Sequence, residues 1–206
     1  MPAGAWRAIY LERGAAALSA EGTAHLRLAA DTGHAIGRAA VTLAPLTDRT
    51  RFWLWQWRFA GEAAFQEPPG LAPCLSHAVH AEPGNAEDPS HATILRMERV
   101  DLHAGAVTPP HTHAGCGLRV LIGGGIAATV GDRQFRLDPG DCWLERGPGE
   151  CVIGRVGPEG PAAFVRLMVL PVGLAGKSSY RPWDERAAAM PRPAAYRLEF
   201  EKRVQK

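Results

Sequence analysis

The second half of the chain is a series of short apolar-rich runs, each cut off by Gly, Pro or Asp. Thr93–Leu102, Leu118–Ile122, Ile126–Val130, Gln134–Leu137, Cys142–Glu145, Cys151–Gly154 and Ala163–Leu170 read as strands. The breaks between them include Gly123-Gly124-Gly125, Pro139-Gly140-Asp141 and Gly147-Pro148-Gly149. Val130-Gly131-Asp132-Arg133 has the form of a tight hairpin turn. The first sixty residues add Ala24–Leu28, Ala39–Leu43 and Arg51–Phe59. In the last of these, Trp53, Trp55, Trp57 and Phe59 alternate, so all four fall on one face of a strand. That face suits a core or an interface with the other half; the sharper reading is a stacking platform for a sugar or aromatic ligand. Residues 61–90 are richer in Pro, Gly, Glu and Ala and read as a connector. Beyond Val172 the pattern gives a short helix over Asp184–Met190 and a final strand over Ala195–Phe200, a strap that returns to a sheet. The expected division is 1–88, an N-terminal β-rich segment; 89–175, a barrel; and 176–206, the strap. Many short strands with regular turns predict an all-β sandwich or barrel.

Composition narrows the function classes. The formal charge of the 206 residues is +2, with no Lys/Arg run, so nothing points to nucleic acid. No apolar run reaches the length of a membrane-spanning helix. The N-terminus lacks a basic start followed by an apolar core, so a cytoplasmic protein is expected. The four cysteines, Cys74, Cys116, Cys142 and Cys151, have no Cys-x-x-Cys spacing, and free thiols are expected.

The chemistry-bearing stretch is Gly105-Ala-Val-Thr-Pro-Pro-His111-Thr-His113. The prolines exclude a helix. On an extended strand His111 and His113 point to the same side, the arrangement by which one strand gives two ligands to one metal. Asp138-Pro139-Gly140-Asp141 follows downstream as a turn that aims the next strand.

This pairing resembles the cupin superfamily. The family's first motif runs Gly, five residues, His-x-His, three or four residues, Glu; here Gly105, His111 and His113 match in type and spacing. The second motif contains Pro-Gly-Asp in many members, followed by a histidine; here Pro139, Gly140 and Asp141 match. The resemblance covers Thr93 to about Val172 and implies a cupin jelly-roll barrel whose mouth holds a divalent metal. Two positions depart from it. The glutamate position falls at Gly117 or Leu118, and the second-motif histidine falls near Cys151, since all eight histidines lie at or before position 113. A rebuilt site therefore needs a third donor for Fe2+, Zn2+, Mn2+ or Ni2+. Glu150 and Cys151 stand where the missing histidine belongs; Cys116, Glu145 and His103 are the other candidates. Arg119 lies on a strand that would line the barrel, where a cation favours an anionic ligand. Gly33-His34-Ala-Ile36-Gly37-Arg38 echoes Gly149 to Arg155, so the N-terminal segment could be a degenerate second cupin unit.

Three functions are compatible with these residues. One is a metal-dependent cupin acting on a small acidic or phenolic molecule, as a dioxygenase, isomerase or lyase. The second is a non-catalytic small-ligand-binding cupin that has lost its metal site. The third is an assembly scaffold joined through Arg51–Phe59. The family resemblance and exposed strand edges imply a homodimer.

Overall fold

The computed structural model describes residues 5–20, 26–58 and 93–205. The expected connector at 61–90, Phe59, Cys74, and His25, His77, His80 and His91 lie outside the described residues. The chain divides into two compact units, Met1–Pro73 and Cys74–Lys206.

Among its described residues the first unit has six strands: β1 (Trp6–Arg13), β2 (Ala15–Ala20), β3 (Leu26–Ala29), β4 (Thr32–Gly37), β5 (Val41–Pro45) and β6 (Arg51–Trp57). They form two antiparallel three-stranded sheets, ordered β4-β1-β6 and β3-β2-β5. Ile9, Leu11, Ala16, Leu18, Leu28 and Val41 make the buried cluster of this unit, with Ile36, Leu43 and Phe52 packed against it. The tryptophans of β6 are not part of that cluster. Register places Trp53, Trp55 and Trp57 opposite Tyr10, Ala8 and Trp6, on the sheet face away from Ile9 and Leu11. Trp55 is nevertheless buried, and the Trp53 indole donates to Glu12 at 2.7 Å.

The second unit contains β7 (Thr93–Leu102), β8 (His111–His113), β9 (Cys116–Gly123), β10 (Ile126–Val130), β11 (Arg133–Leu137), β12 (Cys142–Glu145), β13 (Val152–Val156), β14 (Ala162–Pro171), β15 (Tyr180–Pro182) and β16 (Ala194–Val204). They build two five-stranded antiparallel sheets, β11-β10-β13-β8-β15 and β12-β9-β14-β7-β16. Leu102, Leu121, Ile126, Val130, Leu137, Trp143, Val152 and Val156 belong to one core cluster that draws on strands of both sheets. This is the jelly-roll sandwich expected of residues 93–172. Gly131, at φ 61°, begins the two-residue β10–β11 turn, a position that favours glycine. The expected helix shrinks to a single turn, α1 (Glu185–Ala188), capped by Asp184, whose carboxylate accepts from the Ala187 amide at 2.7 Å. Pro191 and Pro193 follow and bar its extension. β16 pairs with β7 along its whole length. No helix among the described residues is long and apolar enough to cross a membrane. The expectation of four free thiols is corrected: Cys116 and Cys151 are free, but Cys142 is disulfide-bonded.

Candidate functional site

The second unit holds an open cavity of about 590 Å³, a figure that counts the solvent space at its mouth. Its apolar wall contains Val100, Leu102, Ile126, Ala128, Val152 and the edge-to-face pair Trp143–Phe164. Its polar end contains His111, His113, Arg119, Glu145 and Arg166, and its mouth Tyr180, Arg192 and Tyr196. A mostly apolar cavity with a few convergent polar groups is the usual form of a small-molecule site.

Strand register assembles the polar end. Trp143, Arg119, Arg166 and Glu98 are successive cross-strand partners on β12, β9, β14 and β7, so they form one row across the sheet. One step along, Glu145 stands opposite Gly117. Gly117 has no side chain, so Arg119 can fold back and donate to its carbonyl at 2.6 Å. A Cβ at Gly117 would come within 3.2 Å of that guanidinium. Arg119 Nη2 then faces Glu145 Oε2 at 2.5 Å; charge pairs these two buried atoms, although neither makes an aligned hydrogen bond. The Trp143 indole donates to the other carboxylate oxygen at 3.0 Å. Arg166 donates through Nε to Glu98 at 2.8 Å and stacks over Tyr196.

The histidines come from β8, held between β13 and β15. Their rings meet edge to face at 5.0 Å. His111 Nδ1 donates to the Pro109 carbonyl at 2.8 Å, which leaves Nε2 as an acceptor. His113 Nδ1 lies 3.4 Å from Ser179 Oγ, and its Nε2 lies 3.3 Å from Arg166 Nη1 and 3.5 Å from Glu145 Oε2. Burial, reinforced by the charges of Arg166 and Arg119, holds His113 well below the usual imidazole pKa. Burial also lowers His111, against the opposing pull of Glu145. The short approach of His113 to Glu145 is therefore not an ion pair: Arg119 already neutralises that carboxylate, and a guanidinium N–H points at Nε2. Burial lowers Arg119 to about 10, so it stays charged at neutral pH.

The other sequence-derived candidates lie elsewhere. Glu150 accepts from Arg133 at 2.7 Å and from the Arg146 amide at 2.7 Å, clasping the 146–150 turn to the β10–β11 hairpin. Cys151 sits against the backbone of His111 and does not line the cavity. Glu150 and Cys151, which stand at the missing-histidine position in sequence, are thus not among the residues that line the cavity. Cys116 is buried, its thiol raised by desolvation to about 11, and His103 is exposed with its ring against the Ala104 carbonyl. Arg119 does line the cavity, with Glu145 as its partner. Arg166, Tyr180 and Arg192 belong to none of the motifs and carry no expected role. The available signals were an arginine within the apolar run Ala163–Leu170, and aromatic and basic residues in the strap.

The residues present do not fit a resident divalent metal. Among the described residues, no three His, Cys, Asp or Glu side chains converge in a metal-holding arrangement. The lone pair of His113 faces an arginine, the nearest carboxylate is already paired, and two guanidiniums would repel a dication.

No family model matches the chain, and no curated protein matches it. Solved structures do. The salicylate 1,2-dioxygenase of Pseudaminobacter salicylatoxidans aligns at 13% identity over 96% of this chain and 70% of its own, with a TM-score of 0.53. AerE of Microcystis aeruginosa aligns at 10% identity over 82% of this chain and 80% of its own, with a TM-score of 0.58. A structure from work on the DMSP lyases RdDddP and RnDddQII aligns at 16% identity with a TM-score of 0.38, and this chain spans 44% of its length. For the first two the likeness is one of fold.

Proposed function

We propose that this chain, whose fold is that of the cupin superfamily, binds a small organic acid or phenol in its barrel without a resident metal. The observation that carries this reading is the charge state of the cavity. Three guanidiniums, Arg119, Arg166 and Arg192, meet two carboxylates, Glu145 and Glu98, while both imidazoles are held toward the neutral form. An excess cation beside an apolar wall favours an anion with an apolar body. The polar end would take a hydrogen-bonding group, and Trp143 and Phe164 would pack its ring or chain. Arg119 and Arg166 act through the groups they hold: one fixes Glu145, the other fixes the direction of the His113 ring. Thermal-shift titration with a panel of aromatic and aliphatic acids tests this. Stabilisation by aromatic acids, absent with matched amines, is expected; a flat response to every acid defeats the proposal.

A second reading rests on the 3.5 Å approach of Glu145 to His113, with His111 alongside. A divalent ion held by His111, His113 and Glu145 requires Arg119 and Arg166 to withdraw. Metal analysis of protein purified without a histidine tag separates the two readings. About one equivalent, lost in His111→Ala, favours the ion. A homodimer belongs to the same proposal, because β16 is an edge strand of its sheet among the described residues. Light scattering checks it.

A further inference from the structure

The charge balance of the cavity leaves one cation unmatched, and it can be named. Arg119 and Arg166 each face a carboxylate, at 2.5 Å and 2.7 Å. Arg192, in the turn between α1 and β16, lines the cavity mouth and forms no ion pair among the described residues. Its guanidinium carbon lies 3.9 Å from the centre of the Tyr180 ring. The same ring stacks on His111 at 4.8 Å with an interplanar angle of 19°. Two groups at these spacings cannot share one face of the ring, so Tyr180 lies between them. The guanidinium and the imidazole are then no more than 8.7 Å apart, the two spacings combined.

Each member of this stack is prepared for one task. Contact with the Tyr180 ring at 3.9 Å already limits the motion of this exposed guanidinium, so less freedom is lost when it takes a carboxylate. The Nδ1–H of His111 is committed to the Pro109 carbonyl, which leaves Nε2 to accept a hydrogen bond. Pro182, paired with His111 in the β8–β15 ladder, and the Asp184 cap anchor the segment that carries Tyr180.

We infer that Arg192 is the carboxylate anchor of the site, and that His111 Nε2 accepts from a hydroxyl at the far end of the same ligand, past the edge of Tyr180. This rests on the functional reading above and narrows it to hydroxylated aromatic monocarboxylic acids about one ring long. Larger or doubly charged acids fit less well, since only one cation is unmatched and a second negative charge would approach Glu145.

Calorimetric titration at low salt with para-hydroxybenzoate, benzoate and the neutral para-hydroxybenzamide tests it, using wild type, Arg192→Met and His111→Phe. Arg192 is exposed, so Arg192→Met should fold. The expected result is that Arg192→Met weakens para-hydroxybenzoate roughly fivefold or more and leaves the amide unchanged. His111→Phe should abolish the preference for para-hydroxybenzoate over benzoate. If wild type binds the acids and Arg192→Met binds them equally well, the anchor is wrong and the functional reading stands. If wild type binds none of them, both fall.

Discussion

His113 is where the electrostatics of the cavity can be read most directly, through its effect on stability. The imidazole is buried, and Arg166 and Arg119 add to the cost of protonating it, so its pKa in the folded protein lies well below the ordinary 6.5. Above pH 6.5 neither the folded nor the unfolded state carries the proton, and the stabilisation is complete. As the pH falls below 6.5 the unfolded chain takes up a proton that the folded one refuses. Stability is then lost at up to about 1.4 kcal/mol per pH unit for this one group, until the folded imidazole itself titrates. His111 contributes in the same direction. Replacing His113 with Asn removes one titrating site. Whatever the substitution costs at pH 7.5, the difference between wild type and His113→Asn should shrink by about 1.4 kcal/mol on going to pH 5.5. Urea unfolding followed by tryptophan fluorescence, in chelator buffer across pH 7.5 to 5.0, measures it. The competing description, an ion pair between His113 and Glu145 across 3.5 Å, has the opposite sign. It would raise the imidazole pKa, and acid would then favour the wild type over the variant. A difference that stays constant or grows as the pH falls refutes the view that burial, reinforced by Arg166 and Arg119, holds His113 neutral.

Further consequences follow from particular contacts. Glu145→Gln leaves the Arg119 guanidinium buried without its charge partner and should cost about 3–5 kcal/mol, whereas the double change Arg119→Met with Glu145→Met should recover much of the loss; denaturant midpoints check both. Cys116 is buried with its thiol raised to about 11, so it should resist a thiol reagent in the native protein at pH 8 and react after unfolding, as mass spectrometry of labelled peptides would show. Gly124 has φ 70°, and a Cβ there would lie 2.2 Å from the Pro161 carbonyl oxygen. Gly124→Ala should therefore destabilise by about 2 kcal/mol or more, visible as a lower melting temperature.

Several strand bounds were legible from turn chemistry, while others shifted by a residue, as Gln134–Leu137 did to Arg133–Leu137. Thr93–Leu102, Ile126–Val130 and Cys142–Glu145 coincide with β7, β10 and β12. In the first unit, Ala15–Ala20 is a strand that composition hides, because an alanine-rich run has little β preference of its own. Tertiary pairing with β3 and β5 decides it. The same limit applies to the site. His111 and His113 are neighbours in sequence, and strand alternation suffices to place them together. Glu145 joins them only through the pairing of β12 with β9, and Arg166 through β14, contacts that no local spacing encodes. Counting residues from the second motif selected Glu150 and Cys151, but the 146–150 turn points Glu150 at Arg133 and sets Cys151 against backbone. Arg192 is further still from the motifs and reaches the cavity because the strap folds over its mouth. Gly117 carried a usable clue. A glycine where the cupin resemblance leads one to expect a glutamate leaves space, and Arg119 and Glu145 fill it from neighbouring positions.

The most direct test of the account is a calorimetric titration of tag-free, chelator-treated protein with para-hydroxybenzoate. Saturable binding near one ligand per chain, unchanged when divalent metal is restored, is the predicted result. Absence of binding, or binding that emerges only after metal is added, contradicts it.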